Sequence, residues 1–446
     1  MLCVVPVIQA YQHPPELPRS DVHQVRLDGL ACDVLQVPIH GGRSRADVVI
    51  AAAEGTVAVD IACTGDTART TVRPLRLGLT ATRSPGRMTV TVQAPAHVVI
   101  ERPGQPQLFL LLAPEPTPPP PGAIRFAAGR IHNVGELEIP AGGHLWLEGG
   151  AVLRGAVRAR GPGCTVRGHG IIDGSAYDPK TARRRTLVLD RCHGGLVEGV
   201  TIINPSSWSC VLGACDGARV AGLRVFGDVV CSDGVDLVGC RDTVVEDCLL
   251  AVNDDCVAVK SMSVLGHPAS VNPESDVSWA RDISNLDIRR CVMLNGPAGN
   301  GMEIGGETRC DSVRGVRWRD IDLLCVHGHG AAFSINVADH ASVSDISWEN
   351  IRVEHHWDRL LNLRVIRNRY SLDSERGQVR DVSFRHIQVA RESCNYGSTI
   401  AVIGGYDPQH TVTGVRFEDF VLDGVHVLRP EQMDLFTRDA SGITFA

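Results

Sequence analysis

From residue 22 to about residue 112, apolar and polar side chains alternate in short runs such as Thr56-Val57-Ala58-Val59-Asp60-Ile61 and Met88-Thr89-Val90-Thr91-Val92, with turn residues between them. A period of two puts alternate side chains on opposite faces of a strand, so this stretch predicts an antiparallel β-sandwich with one buried face per sheet. The segment Ala113 to Gly122, APEPTPPPPG, is too poor in backbone donors for a sheet interior and predicts a stiff, extended linker. The expected division is therefore a sandwich domain at 1–112, a linker at 113–122 and a second domain at 123–446.

Beyond the linker, apolar or small residues recur at offsets 0, 2 and 5: Gly195/Val197/Val200, Ala218/Val220/Leu223, Thr243/Val245/Cys248 and Leu286/Ile288/Cys291. The pattern continues as Val316/Trp318/Ile321, Ile346/Trp348/Ile351, Val382/Phe384/Ile387 and Val415/Phe417/Phe420. Successive anchors lie 23, 25, 43, 30, 30, 36 and 33 residues apart, so the strand core repeats while the loops vary in length. One short strand pattern per unit, with no helix between units, is what a right-handed parallel β-helix needs to stack coil on coil. Equivalent positions then fall about 4.8 Å apart. Counting past each anchor traces one edge of the coil: Trp208, Asp233, the pair Asp254 and Asp255, Asn300, His329, Arg359, and Asn395 with Tyr396. Acids, amides, an aromatic and a histidine on one flank predict a binding cleft.

Composition agrees with an all-β chain: 46 glycines, 4% aromatic residues and recurrent Val, Ile and Leu. The net charge of -7 is modest and the basic residues are scattered, which argues against a nucleic-acid track. No apolar run reaches the length of a membrane span. The first residues, MLCVVPVIQAYQHPPELP, have a short apolar stretch with no basic residue before it; a cytoplasmic protein is the expectation, with secretion as the alternative. Many of the 15 cysteines fall at strand-like positions (Cys192, Cys215, Cys240, Cys248, Cys256, Cys291), which predicts buried thiols in an internal stack. Neither CxxC spacing nor the adjacent His355-His356 pair, whose side chains diverge on a strand, supports a metal, and no cofactor is expected.

The segment CSDGVDLVGCRDTVVEDCLLAVNDDCVAVKS, Cys231 to Ser261, concentrates the chemistry. Asp233, Asp254 and Asp255 would meet across two adjacent coils, provided the chain bends between the last two. Crowded carboxylates push one pKa upward, so that one acid keeps its proton while its neighbours act as bases. Glycoside hydrolysis requires that division of labour. Trp208, Asn300, Glu303, His329 and Lys260 are the candidate substrate-binding residues: Trp208 as a platform for a sugar ring, Glu303 as a further carboxylate or as the partner of Arg309 or Lys260.

These residues resemble a known family, the polygalacturonase-like glycoside hydrolases of family 28. In that family an Asp in an NTDG-like segment precedes DDC(V/I)A(V/I)KS by 21 residues. Here Ser232-Asp233-Gly234 stands 21 residues before Asp254-Asp255-Cys256-Val257-Ala258-Val259-Lys260-Ser261. Gly168 to Gly174, GHGIIDG, and Asn204 to Trp208, NPSSW, resemble two further family segments. The sandwich followed by a β-helix is similar to the layout of the dextranase and isopullulanase family, 49. The resemblance implies an inverting hydrolase without a metal, with Asp254 as general acid and Asp233 with Asp255 activating water.

Two positions depart from the family pattern. Asn300 stands where the family has a histidine, and Ala331-Ala332-Phe333 stands where polygalacturonases carry an Arg-Ile-Lys pair of cations. Without those cations a uronate loses charge-assisted contacts of about 1.5–3 kcal/mol each, so a neutral or unusual oligo- or polysaccharide is the expected substrate. Two other readings use the same residues: an intramolecular transglycosylase giving a cyclised sugar, and a carbohydrate-binding β-helix without activity. The sequence leaves assembly into a homo-oligomer open.

Overall fold

The structure is a computed structural model that describes residues 8–39, 44–263, 278–391 and 399–446. Asn395 and Tyr396, expected at the cleft edge, lie outside the described residues. Among the described residues, strands and three short 3-10 turns make up the regular structure, and no helix is long and apolar enough to cross a membrane.

The N-terminal region forms two facing sheets, one of six strands and one of five. Strand Arg87–Ala94 shows the predicted alternation, burying every second residue. Strand Ser44–Ala53 does not: its last eight residues are all buried. It lies in the six-stranded sheet, between the sandwich interior, reached by Val49, Ala51 and Ala53, and the second domain, reached by Val48, Ile50 and Ala52. Both of its faces are covered, so the apolar run is continuous. It also pairs in parallel with Gln107–Ala113, which corrects the all-antiparallel expectation; the chain must cross over between these two central strands rather than turn back in a hairpin.

From Ile124 onward, the strands of the described residues stack in parallel into a β-helix with three sheets, apart from the short antiparallel strand Val425–His426. The first sheet holds the repeat read from the sequence: Val197, Val220, Val245, Ile288, Trp318, Trp348, Phe384 and Phe417 pair in register from coil to coil. Its later rungs form an inward aromatic stack, with Trp348–Phe384 and Phe384–Phe417 centroids 4.8 and 4.9 Å apart, the spacing of neighbouring strands. A single left-handed residue turns most coils from the first sheet to the second: Gly199, Gly222, Asp247, Arg290, Asp320, Asn350, His386 and Asp419. Cys192, Cys215, Cys240, Cys248, Cys256 and Cys291 are fully buried thiols.

The second sheet, which includes Thr201–Ile203, Arg224–Phe226, Leu249–Val252 and Val292–Asn295, carries apolar residues on its outer face as well. Ile203, Phe226, Leu249, Ala251, Val292 and Leu294 pack against the six-stranded sheet of the sandwich, with Phe109 set edge-on to Phe226 at 5.1 Å. Polar contacts border this seam: Arg73 pairs with Glu354 at 2.6 Å, Arg76 with Asp322 at 2.5 Å, and the Tyr11 hydroxyl lies 2.7 Å from His169 Nδ1 and donates to Glu115 of the proline-rich stretch. The third sheet, left uncovered by the sandwich, presents the cleft.

Candidate active site

The strands of the third sheet, Cys210–Gly213, Val235–Val238, Val257–Ser261, Met302–Thr308, Ala331–Val337 and Arg359–Val365, are each entered through a turn from the second sheet. Backbone bonds set the register of these turns: Ser209 N–H donates to Asp233 O, Gly234 N–H to Asp255 O, and Cys256 N–H to Asn300 O, each at 2.9 Å. Trp208, Asp233, Asp255 and Asn300 therefore form one column, which continues through Ala331 and Arg359. His329, expected in this row, sits two residues before Ala331 on an exposed turn; the count from the anchor missed the extra loop residues.

The chain bends at Asn253 and Asp254, which lets consecutive aspartates serve one site. Asp254 Oδ2 accepts from Cys231 N–H at 2.9 Å and its Oδ1 from Asp255 N–H at 3.0 Å. Asp255 Oδ1 accepts from both the backbone and side-chain nitrogens of Asn300, at 2.7 and 3.0 Å. Asn300 in turn accepts from Ala331 N–H at 2.9 Å, so it clamps the acid to the next coil. Gly299 allows this approach: its φ is +67°, and a Cβ there would collide with the Asp255 amide nitrogen and the Asp254 carboxylate.

Each of the three carboxylates offers an oxygen within 4.8 Å of the others. That is closer than the gap of about 6.5–9.5 Å expected between the acid and base of an inverting pair. The crowding is geometric: two of the acids are consecutive, and the third stands one rung away.

Lys260 answers this density of negative charge. It is buried, with Nζ 2.8 Å from Asp233 Oδ2, 3.0 Å from Asp236 Oδ1 and 3.9 Å from Asp255 Oδ2. Burial alone would lower its pKa, but the surrounding acids, Asp233, Asp236, Glu307 and Asp255, together outweigh burial and hold it well above the usual lysine value. Lys260 thus belongs to the acid cluster first. Trp208 is drawn in as well: Lys260 Nζ lies 4.2 Å and Arg185 Cζ 4.6 Å from the centre of its ring. Two cations thus lie over the ring expected to stack on a sugar.

Asp236, which the sequence reading passed over, is fully buried and raised above the carboxylate range by burial. The available signal was its place: three residues after Asp233, it sits on the outward side of a strand whose neighbour carries Lys260 two residues beyond its own partner, Ala258.

Asp254 and Asp255 are shifted to different extents. Asp254, the least buried of the three, is raised well above the carboxylate range by burial and then by Asp233 and Asp255. Asp255 is pushed up only to about 6, because Lys260 and the Asn300 donors counter burial and the charge of Asp233. Glu303 projects from the adjoining strand, 2% exposed, and accepts from Asn336 Nδ2 at 2.9 Å. Burial and Asp255 raise it to about 8, so at neutral pH it carries a proton. Arg309, its suggested partner, lies beside Asp373.

Ala331, Ala332 and Phe333 are fully buried and Phe333 points into the core. The next coil, however, brings two guanidiniums to this end of the cleft. Arg359 continues the column, and Arg364 pairs with Asn336 in register. Burial first, and then the charge of Arg359, hold Arg364 below its usual pKa.

Residues 155–355 match the family model of the glycosyl hydrolases family 28. Among curated proteins, a polygalacturonase of Chamaecyparis obtusa is 24% identical over 31% of this chain and 32% of its own length. One of Juniperus ashei is 28% identical over 34% of this chain and 26% of its own length. These alignments thus span about a third or less of each relative. Among solved structures, Dex49A from Penicillium minioluteum superposes with a TM-score of 0.67 at 13% identity, covering 98% of this chain and 96% of that one. A hyperthermoactive exopolygalacturonase from Thermotoga maritima superposes with a TM-score of 0.54 at 16% identity, covering 73% and 84%. Both share the fold, and Dex49A matches along nearly the whole chain, sandwich region included.

Proposed function

We propose that this chain is a glycoside hydrolase in which Asp254 is the general acid and Asp233 with Asp255 positions and deprotonates the attacking water. The observation that carries this reading is the convergence of three carboxylates, each offering an oxygen within 4.8 Å of the others, with burial and the neighbouring acids holding Asp254 well above the carboxylate range and Asp255 raised only to about 6. Asp254 gives its proton to the glycosidic oxygen as that bond to the anomeric carbon breaks, and the water oxygen bonds to the same carbon as its proton passes to the paired bases.

Inversion is part of the proposal and rests on burial, because the carboxylates stand closer than the usual inverting gap. Asp233 and Asp255 are 2% and 8% exposed, too recessed to attack a sugar carbon directly. Asp233 Oδ1 is buried and has no hydrogen-bond partner among the described residues, which leaves an unused acceptor beside the other two carboxylates. Glu303 Oε2 is likewise buried and unbonded; carrying a proton, it is a donor for a sugar hydroxyl. The stacked thiols of Cys192, Cys215 and Cys240 favour a reducing, cytoplasmic setting.

For the reacting sugar, the apolar strand Ala331 to Phe333 favours a neutral residue. A second reading, favoured by Arg359 and Arg364, is a carboxylated sugar one unit further along. The test is to incubate wild type, Asp254→Asn and Arg364→Ala with neutral and uronate-containing oligosaccharides, following mass and anomeric configuration. The proposal expects one water added per bond cleaved, an inverted anomer and no turnover by Asp254→Asn. A retained anomer removes the inversion. Cyclised products without added water indicate transglycosylation, and glycan binding without turnover by wild type indicates a non-catalytic binder. A raised KM of Arg364→Ala confined to acidic substrates selects the second reading for the sugar.

A further inference from the structure

The outward row of the second sheet changes character along the helix. Ile203, Phe226, Ala251 and Leu294 follow one another in register under the sandwich, and the next member is Cys325. Val326 pairs in parallel with His356 on the following coil, its N–H donating to His355 O and Trp357 N–H donating to Val326 O, both at 3.0 Å. Cys325 and His327 flank the inward Val326 and so share the outer side, while His355 and Trp357 lie directly over them on the next coil. Three corners of this square are metal-ligating side chains, and the fourth is Trp357, whose ring lies 6.2 Å from that of His327.

From this arrangement we propose a metal site outside the acid cleft, in which Cys325 Sγ and ring nitrogens of His327 and His355 bind one divalent transition metal of the zinc class. One ligand atom from each of the three residues lies within 4.8 Å of the others. Cys325 Sγ is 3.6 Å from His327 Nδ1. A tetrahedral zinc with Zn–S of about 2.3 Å and Zn–N of about 2.0–2.1 Å requires a sulfur–nitrogen separation of roughly 3.5 Å, so this edge of the site is already at bonding geometry. One thiolate with two imidazoles selects zinc-like ions over calcium or magnesium, which take oxygen ligands. His355 is buried and His327 exposed, which leaves the fourth position toward solvent.

The expected divergence of His355 and His356 is present, with His356 Nε2 3.3 Å from Thr399 Oγ1. The pair is no site, yet one of its members meets a Cys-x-His from the preceding coil. That turn also leads to Ala331, whose N–H supports Asn300, so a bound metal would stiffen a support of Asp255.

The test uses the full-length protein stripped with a chelator and titrated with Zn2+, followed by calorimetry and by Tm, and with Co2+, followed by its thiolate-to-metal absorption. One equivalent of Zn2+, a rise in Tm and a cobalt–thiolate band are expected. Cys325→Ser should abolish the band, and His327→Ala, at an exposed position, should weaken Zn2+ binding by more than about a hundredfold. His329→Ala on the same turn should bind as wild type does. Circular dichroism of Cys325→Ser separates loss of a ligand from loss of fold. No stoichiometric binding by wild type, or binding that survives both Cys325→Ser and His327→Ala, overturns the site. The inference stands independently of the hydrolase reading.

Discussion

The second and third sheets of the helix are stacked from the same coils, yet their outward faces are used in opposite ways. On the second, Ile203, Phe226, Leu249 and Leu294 are buried by another domain. On the third, Asp236, Lys260 and Glu303 are buried among polar partners, Lys260 against Asp236 at 3.0 Å and Glu303 against Asn336 at 2.9 Å. Burial on the apolar face stabilises through area removed from water. Burial on the polar face costs desolvation that the Lys260 contacts offset only in part, which is why Asp254, Asp255 and Glu303 are all shifted upward. One face of the helix supplies stability and the other holds carboxyls away from their pKa values in water.

Substitutions can sharpen that contrast. The largest effect is expected for Asp254→Asn, which should lower turnover by about 10²–10⁴-fold while leaving the denaturation midpoint near that of wild type; an equal loss of both would make Asp254 a structural residue. On the opposite face, Phe226→Ala should cost about 3–5 kcal/mol in denaturant unfolding, with turnover per folded molecule retained. If instead activity fell and stability held, the division of roles between the two faces would be wrong.

Asp255 links the two properties through pH. Its pKa is raised from an unfolded value of about 3.9 to about 6 in the native state. Its unfavourable contribution to stability is therefore absent below the unfolded value, grows as pH rises through that window and is complete above the folded value. Asp255→Asn should keep the acceptor oxygen for Asn300 and gain on the order of 1–3 kcal/mol relative to wild type above pH 6, with no gain in acid, as thermal melts across pH would show. In wild type, kcat/KM should decline as pH falls below about 6, as the base takes up its proton. The smallest effect belongs to the first sheet, whose outer face is an exposed ladder of ion pairs. Arg385→Ala removes the pair with Glu418 at 3.0 Å, both partners half-exposed, and should change stability by less than about 1 kcal/mol.

The repeat was legible because a stacked coil repeats one constraint. Val197 through Phe417 occupy one inward column, and each coil must fill it with an apolar side chain. The same stacking made Asp233 and Asp255 readable as neighbours from two separated motifs. Loops carry no such constraint, and there the count failed: His329 fell outside the column, and Ala331 took the place expected for it. The outer faces were less legible still. Asp236 carries no motif of its own, and its role follows only from Lys260 standing one strand away. Cys325, His327 and His355 belong to segments about thirty residues apart in sequence, and neither segment matches a metal-binding spacing.

By itself, then, the sequence determined the coil, its inward register and the family-like acids, because periodic burial and short motifs are local properties. The tertiary structure decided which outward face is covered, how far each acid is shifted, where Lys260, Arg359 and Arg364 stand and which cysteine and histidine side chains meet. Those depend on distances between separate coils and on exclusion of water by a second domain, and no residue carries either in its own position along the chain.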